Sequence, residues 1–442
     1  MSNQINATFS SGLNLQFSIF NLQSMKVLIV NTSERSGGAA VAAKRLSEAL
    51  AHHGMEARML VMNRQTDAPE VLQAGTWLQA KWSFVYERLV IWLHNLLSRT
   101  NLFKVSIANT GIDITRTEAF RQADIIHLNW VNQGFLSIKG IGRILRSGKP
   151  VVWTMHDMWE MTAICHHAYD CCRYQSDCHD CPFLRRPGRH DLSAKVFRQK
   201  RQLLGADAPL TFVAVSEWLA DRGRSSALTG RWPIEVIPNV FSLSSFTITA
   251  RSEARRQLGI DEAHVIAFGA ARIDDPIKGF TYLCQALRIL VQSGRVGQSA
   301  MRLLLFGGVK DASVLNQIPI PYTHLGYIAD ERSLSLVYSA ASVTVSSSLY
   351  ETFGQTLIEA LACGSVPVSF DGSGQADIIT HLENGYLAHR LSAQSLADGI
   401  EWALAAPPAQ SQLRASVACF SEDVVAERYA NLYRRLLGRR SV

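Results

Sequence analysis

The sequence predicts an α/β protein made of two Rossmann-like, doubly wound domains. Three observations predict it. Short hydrophobic runs alternate with amphipathic helical stretches along most of the chain. The alternation restarts after "IEVIPNV" (234–240). At 442 residues the chain is too long for one ordinary domain and long enough for two full cores.

The elements follow in order. Residues 1–24 lack a basic start and a clear cleavage site, so they read as a disordered or extension leader rather than a signal peptide. "KVLIVNTS" (26–33) is a buried strand, and "SGGAAVAAKRLSEALAHHG" (36–54) is a helix opened by Gly37 and Gly38 and closed by Gly54. Strands follow at "EARMLVMN" (56–63), "DIIHL" (124–128), "PVVWTMH" (150–156) and "LTFVAVS" (210–216). The stretch 77–97 has helical period but carries Trp77, Trp82 and Trp92 with basic residues. Packing on the first domain is the preferred reading, and interfacial contact with an anionic membrane surface the other. The second series runs through "HVIAFGAA" (264–271), "RLLLFGG" (302–308), "YTHLGYI" (322–328), "ASVTVSSS" (341–348) and "PVSF" (367–370). The domains expected are therefore 25–238, with a Cys-rich loop at 165–182, and 239–420. A final helix, 421–442, should pack back on the first domain.

The net charge of +7 and a pI near 9.0 suit a protein that meets phosphates or an anionic lipid surface. No nucleic-acid partner is expected. No run of about 20 apolar residues is present, so nothing should span a bilayer. Eight cysteines without an export signal suggest a reducing, cytoplasmic setting, peripheral on the inner membrane face if the chain binds lipid.

Function is most legible in "SSSLYETFGQTLIEALACGSVPV". A β-branched strand is followed by a loop, a short helix ended by Gly364, and a new strand entered at Pro367. Glu351 thus lies at the carboxyl end of a strand, where parallel sheets bind ligands, and Glu359 about one turn into the next helix. Free amides around Phe353, Gly354, Gln355 and Thr356 would favour an anion such as phosphate. "GAARIDDPIKGF" (269–280) places Arg272 and Lys278 at another strand end, and "WTMHDMWEMT" (153–162) does the same for His156 and Asp157.

In this context the Glu-seven residues-Glu spacing resembles the retaining GT-B glycosyltransferases of family 4, over nearly all the chain from Met25. The resemblance implies two Rossmann-like domains facing across a cleft, with acceptor in the first and nucleotide-sugar donor in the second. It implies that Glu351 faces the donor sugar and that Glu359 binds the ribose hydroxyls. Arg272 and Lys278 would hold the diphosphate, Gly37 and Gly38 would lie near donor phosphate and acceptor, and His156 near the reacting sugar. The loop "CHHAYDCCRYQSDCHDCP" is similar to one in the colanic-acid-like polysaccharide subset. There Cys165, Cys171, Cys178 and Cys181 could hold a structural Zn, with reduced packing thiols or a disulfide as alternatives. Asn129, Trp130 and Asn132 would line the acceptor side. No catalytic cofactor is implied, since no Asp-x-Asp is suitably placed for a metal. The acceptor implied is a glycan or an undecaprenyl-linked acceptor, in bacterial surface polysaccharide assembly. An epimerase or phosphorylase of the same fold, or a non-catalytic scaffold, are the competing readings. One departure is Val240, where the family commonly has glycine after "IPN".

Overall fold

The computed structural model describes residues 25–205, 207–294 and 297–438, so the leader expected at 1–24 lies outside the described residues. The first half contains β1 (Lys26–Ser33), β2 (Glu56–Asn63), β3 (Val71–Gln73), β4 (Ile125–Leu128), β5 (Val151–Met155), β6 (Leu210–Ala214) and β7 (Ile234–Val236). The second contains β8 (His264–Arg272), β9 (Met301–Gly308), β10 (Tyr322–His324), β11 (Val343–Ser346), β12 (Val366–Phe370) and β13 (Tyr386–Ala388). The expected strands are present, several of them shorter. Short edge strands β3 and β13 were not anticipated, because three residues carry too little periodicity to stand out.

Both sheets are parallel throughout, in the orders β3-β2-β1-β4-β5-β6-β7 and β10-β9-β8-β11-β12-β13. Helices cover both faces of such sheets, which is why β4, β5, β6, β11 and β12 are buried along their whole length. Each sheet winds outward from its centre in both directions. The order therefore reverses between β1 and β4 in the first and between β8 and β11 in the second. At such a switch point neighbouring loops part and leave a crevice at the carboxyl ends of the strands.

The chain then returns. The helix Glu422–Gly438 buries Val425, Tyr429, Leu432 and Tyr433 in one cluster with Val27, Ile29 and Leu50 of the first domain. Val240 belongs to the same cluster, so its side chain fills core. A buried polar chain fixes the helix. His127 on β4 pairs Nδ1 with the Tyr433 hydroxyl at 2.6 Å and Nε2 with Thr154 Oγ1 at 2.7 Å, and Thr154 meets the Tyr429 hydroxyl at 3.1 Å. Burial, with His156 nearby, lowers His127 to about 3, so it is neutral. Tyr433→Phe leaves a His127 nitrogen buried without its partner and should cost about 1–3 kcal/mol, read by denaturant unfolding.

Candidate active site

The loops after β1, β4 and β5 face those after β8 and β11 across a cavity of about 550 Å³. Gly37 and Gly38 line it from the first domain. The φ of Gly37 is +97°, and a Cβ on either glycine would meet nothing within 4 Å, so the backbone there is bare toward the cleft. Glu34, fully buried, shapes this loop by accepting bonds from the amides of Gln65 and Thr66 at 2.6 and 2.9 Å and from the Thr66 hydroxyl. Burial opposes its charge, but these bonds and Arg35 hold its carboxyl below the usual range.

Across the cleft, Lys278 Nζ bonds Glu351 Oε2 at 2.8 Å, and this carboxylate raises the lysine pKa. Gly279, next to Lys278, has φ +64°, and a Cβ there would stand 2.0 Å from Ser347 O. The β8 and β11 loops thus touch backbone to backbone, and any larger residue would force them apart. Phe353, Gly354 and Gln355 line the cavity at the N-terminus of the helix Gln355–Ala362.

Not every expected residue reaches the cavity. Arg272 and Thr356 do not line it. The Arg272 guanidinium turns to its own acidic neighbours, Asp274 at 3.5 Å and Asp275 at 3.9 Å. Glu359 lies beneath the lining, accepting bonds from the Tyr338 hydroxyl at 2.8 Å and from Gln355 Nε2 at 3.2 Å. Burial pushes it up to about 7.

His156 lines the cleft, with Nε2 on Asn129 Oδ1 at 2.9 Å. Burial lowers it from 6.5 to about 4, against the opposing charge of Asp157. Asp157 accepts from Trp130 Nε1 and His166 Nδ1, both at 2.7 Å, and from the Trp159 amide at 2.7 Å. Burial works against its charge, yet His166, His167 and these bonds hold it at about 2. Trp130 faces the cavity, whereas Asn129 and Asn132 are buried beside it rather than lining it. Sequence reasoning missed His167 as a cleft residue: it lines the cavity with a buried, unpartnered Nδ1, and burial lowers its pKa. It lies within the Cys-rich loop, away from any strand end that would mark it. Asn31, Ser33, Gln133 and Asn239 were missed as well, since single polar residues at the end of a strand or on a loop carry no pattern.

Cys165, Cys171, Cys178 and Cys181 do line one small cavity of about 20 Å³. The expected zinc site is nevertheless not formed: among the described residues no group of three or more His, Cys, Asp or Glu is gathered as a metal would need. All four thiols are free, and burial pushes Cys165 up to about 11 and Cys178 and Cys181 to about 12, so these three pack as neutral thiols.

Two family models match in succession, Glycosyltransferase Family 4 over residues 36–245 and Glycosyl transferases group 1 over 250–417. The chain is 28% identical over 304 residues to a D-inositol 3-phosphate glycosyltransferase of Pseudarthrobacter chlorophenolicus, covering 65% of this chain and 64% of that one. It is 25% identical over 331 residues to the putative colanic acid biosynthesis glycosyl transferase WcaC of Escherichia coli, covering 71% and 76%. Of eight curated relatives it matches, the chain spans 46% to 76% of the length. The crystal structure of Anabaena HepE in complex with UDP-glucose superposes with a TM-score of 0.59 at 15% identity, covering 93% of this chain and all of that one.

The neutral state of His156 gives a pH test. Between pH 6.5 and 4 the unfolded chain binds a proton at this residue that the folded chain does not, so stability falls as pH falls through that window. The loss should reach about 3 kcal/mol. Denaturant unfolding at pH 7 and 4.5 should show a steeper loss for the wild type than for His156→Gln. Equal losses would mean that the folded chain carries a charged His156.

Proposed function

We propose that the chain, which matches the family 4 and group 1 glycosyltransferase models in succession, moves a sugar from a nucleotide-sugar donor to a glycan acceptor with retention of anomeric configuration. The observation that carries this reading is the Lys278–Glu351 pair facing His156 and the bare Gly37–Gly38 backbone across one cleft. A donor diphosphate suits Lys278 and the N-terminus of the helix Gln355–Ala362, where cation and free amides offset its charge. Arg272 would have to leave its aspartates to add a second cation. Glu359, linked to the lining through Gln355, would take the ribose hydroxyls, and a carboxyl near neutrality can both donate and accept. In the front-face route, the bond from C1 to the leaving diphosphate breaks as the acceptor oxygen bonds C1 on the same side. The acceptor proton passes to the departing phosphate oxygen, so no protein nucleophile is needed. The enzyme supplies position, charge and exclusion of water. Neutral His156, with Nε2 committed to Asn129, has Nδ1 free to accept a sugar hydroxyl.

The acceptor proposed is lipid-linked, at the inner face of a membrane, in surface polysaccharide assembly. The helix Trp77–His94 supports this. Trp77, Trp82 and Leu93 are more than half exposed, against the packing expected of them. The only acidic residue between 71 and 112 is Glu87, which is fully buried against Arg88, while Lys81, Arg99 and Lys104 are exposed. An apolar face rimmed by cations suits anionic lipid. Among the described residues no helix is long and apolar enough to cross a membrane.

Calorimetry with UDP-, GDP- and ADP-sugars should show selective binding that is lost in Glu359→Ala, and Lys278→Met should slow transfer by about 10²–10³-fold. No binding across the panel would remove the donor assignment. The chain should float with phosphatidylglycerol vesicles and not with phosphatidylcholine vesicles, and the double change Trp77→Ser, Trp82→Ser should weaken flotation. Indifference to both lipid charge and tryptophans would remove the membrane setting.

A further inference from the structure

Tyr350 lines both the reaction cleft and a second cavity of about 260 Å³. That is below the roughly 300–1,000 Å³ of a pocket enclosing a whole drug-sized ligand, and fits a subsite. Its walls come from both domains: Tyr169, Asp170 and Arg222 from the first, Tyr350, Gly372 and Arg390 from the second. We infer that this cavity is a subsite for an acidic sugar residue, carrying a carboxylate or phosphate, in the saccharide that occupies the cleft. The inference rests on the reading of the chain as a sugar transferase and names the class of substrate it takes.

Charge and shape carry it. Two guanidiniums line the cavity against one carboxylate. Asp170 stands 3.8 Å from Arg390 and is largely exposed. Arg222 has no carboxylate within 4.0 Å among the described residues. Its contacts are the Tyr174 hydroxyl at 3.4 Å and the Trp218 ring at 4.8 Å. The acidic residues on its own helix, Glu217 and Asp221, are both taken by Arg224. A half-buried guanidinium stacked on an aromatic ring and lacking a counter-ion is a ready partner for an anion, which its fork can hold through two bonds. Tyr169 and Tyr350, edge to face at 5.0 Å, present ring surface for the C–H side of a sugar, and Arg390 lies over the Tyr350 ring at 5.3 Å. Neutral sugar would use the rings alone. An acidic one would also use both cations. Tyr350 directly precedes Glu351, so a saccharide running over this ring reaches from the subsite to the centre where Glu351 meets Lys278.

Saturation-transfer NMR on the full chain, with glucuronate, glucose 6-phosphate and glucose as probes, tests this. The two acidic sugars should bind at least about tenfold tighter than glucose, and Arg222→Ala and Arg390→Ala should each remove about tenfold of that affinity. Arg222→Lys keeps the charge and should retain part of the gain, and unchanged melting curves show that the variants fold. The stronger of the two acids identifies carboxylate or phosphate as the group held. Glucose binding as well as glucuronate, or acidic-sugar affinity indifferent to Arg222→Ala, overturns the inference. Arginine-dependent binding of an acidic sugar by a chain that takes no nucleotide sugar supports the subsite while it overturns the donor reading.

Discussion

In a parallel sheet every strand delivers its following loop to the same edge, and where the strand order reverses those loops part. Here that constraint acts twice. The reversal between β1 and β4 opens the Gly37–Gly38 loop beside Trp130, and the reversal between β8 and β11 opens the Lys278 loop beside Glu351. Because the two edges face each other, one cavity collects residues more than 300 positions apart in sequence. Everything chemical about the site follows from those two crevices being aligned.

The alignment is held by backbone as much as by charge. The segment after β11 is bonded across the domain boundary: Thr352 O accepts from Ser216 Oγ at 2.7 Å, and Thr352 Oγ1 donates to His156 O at 2.9 Å. Arg45 reaches Glu331 at 2.5 Å from the first domain to the second. These contacts place Glu351 opposite His156 with little freedom, which suits a reaction in which the enzyme mainly positions its substrates. The returning helix adds a further tie. By packing on β1 and β4 after the second domain is complete, it ties the end of the chain back to the first domain.

The two glutamates that drew the eye in sequence occupy different environments. Glu351 is partly exposed and already neutralised by Lys278. Glu359, eight residues on, is buried among Tyr338 and Gln355 and pushed toward neutrality. The same contrast separates Asp157, charged because three donors and two histidines surround it, from Glu160, whose carboxyl burial and the Asp157 charge hold well above its usual range. The same carboxyl chemistry is divided into charged and neutral roles by hydrogen-bond donors, neighbouring charges and depth.

By itself the sequence determined the alternation of strand and helix, the restart near residue 240, and the strand-end positions of His156, Lys278 and Glu351. All of these rest on local periodicity and on turn residues, which act over a few positions. Tertiary structure alone decided which neighbours of those residues face the cleft. Arg272 sits at a strand end yet pairs with Asp274 and Asp275, while His167, far along the loop after β5, enters the cavity because that loop is carried over Trp130 and Asp157. The four clustered cysteines looked like metal ligands by spacing and pack as thiols, and the three tryptophan positions of 77–94 looked like packing until two of them proved exposed. Spacing along a chain constrains a helix or strand strongly. It constrains a loop weakly, because the path of a loop is set by contacts with segments far away in sequence.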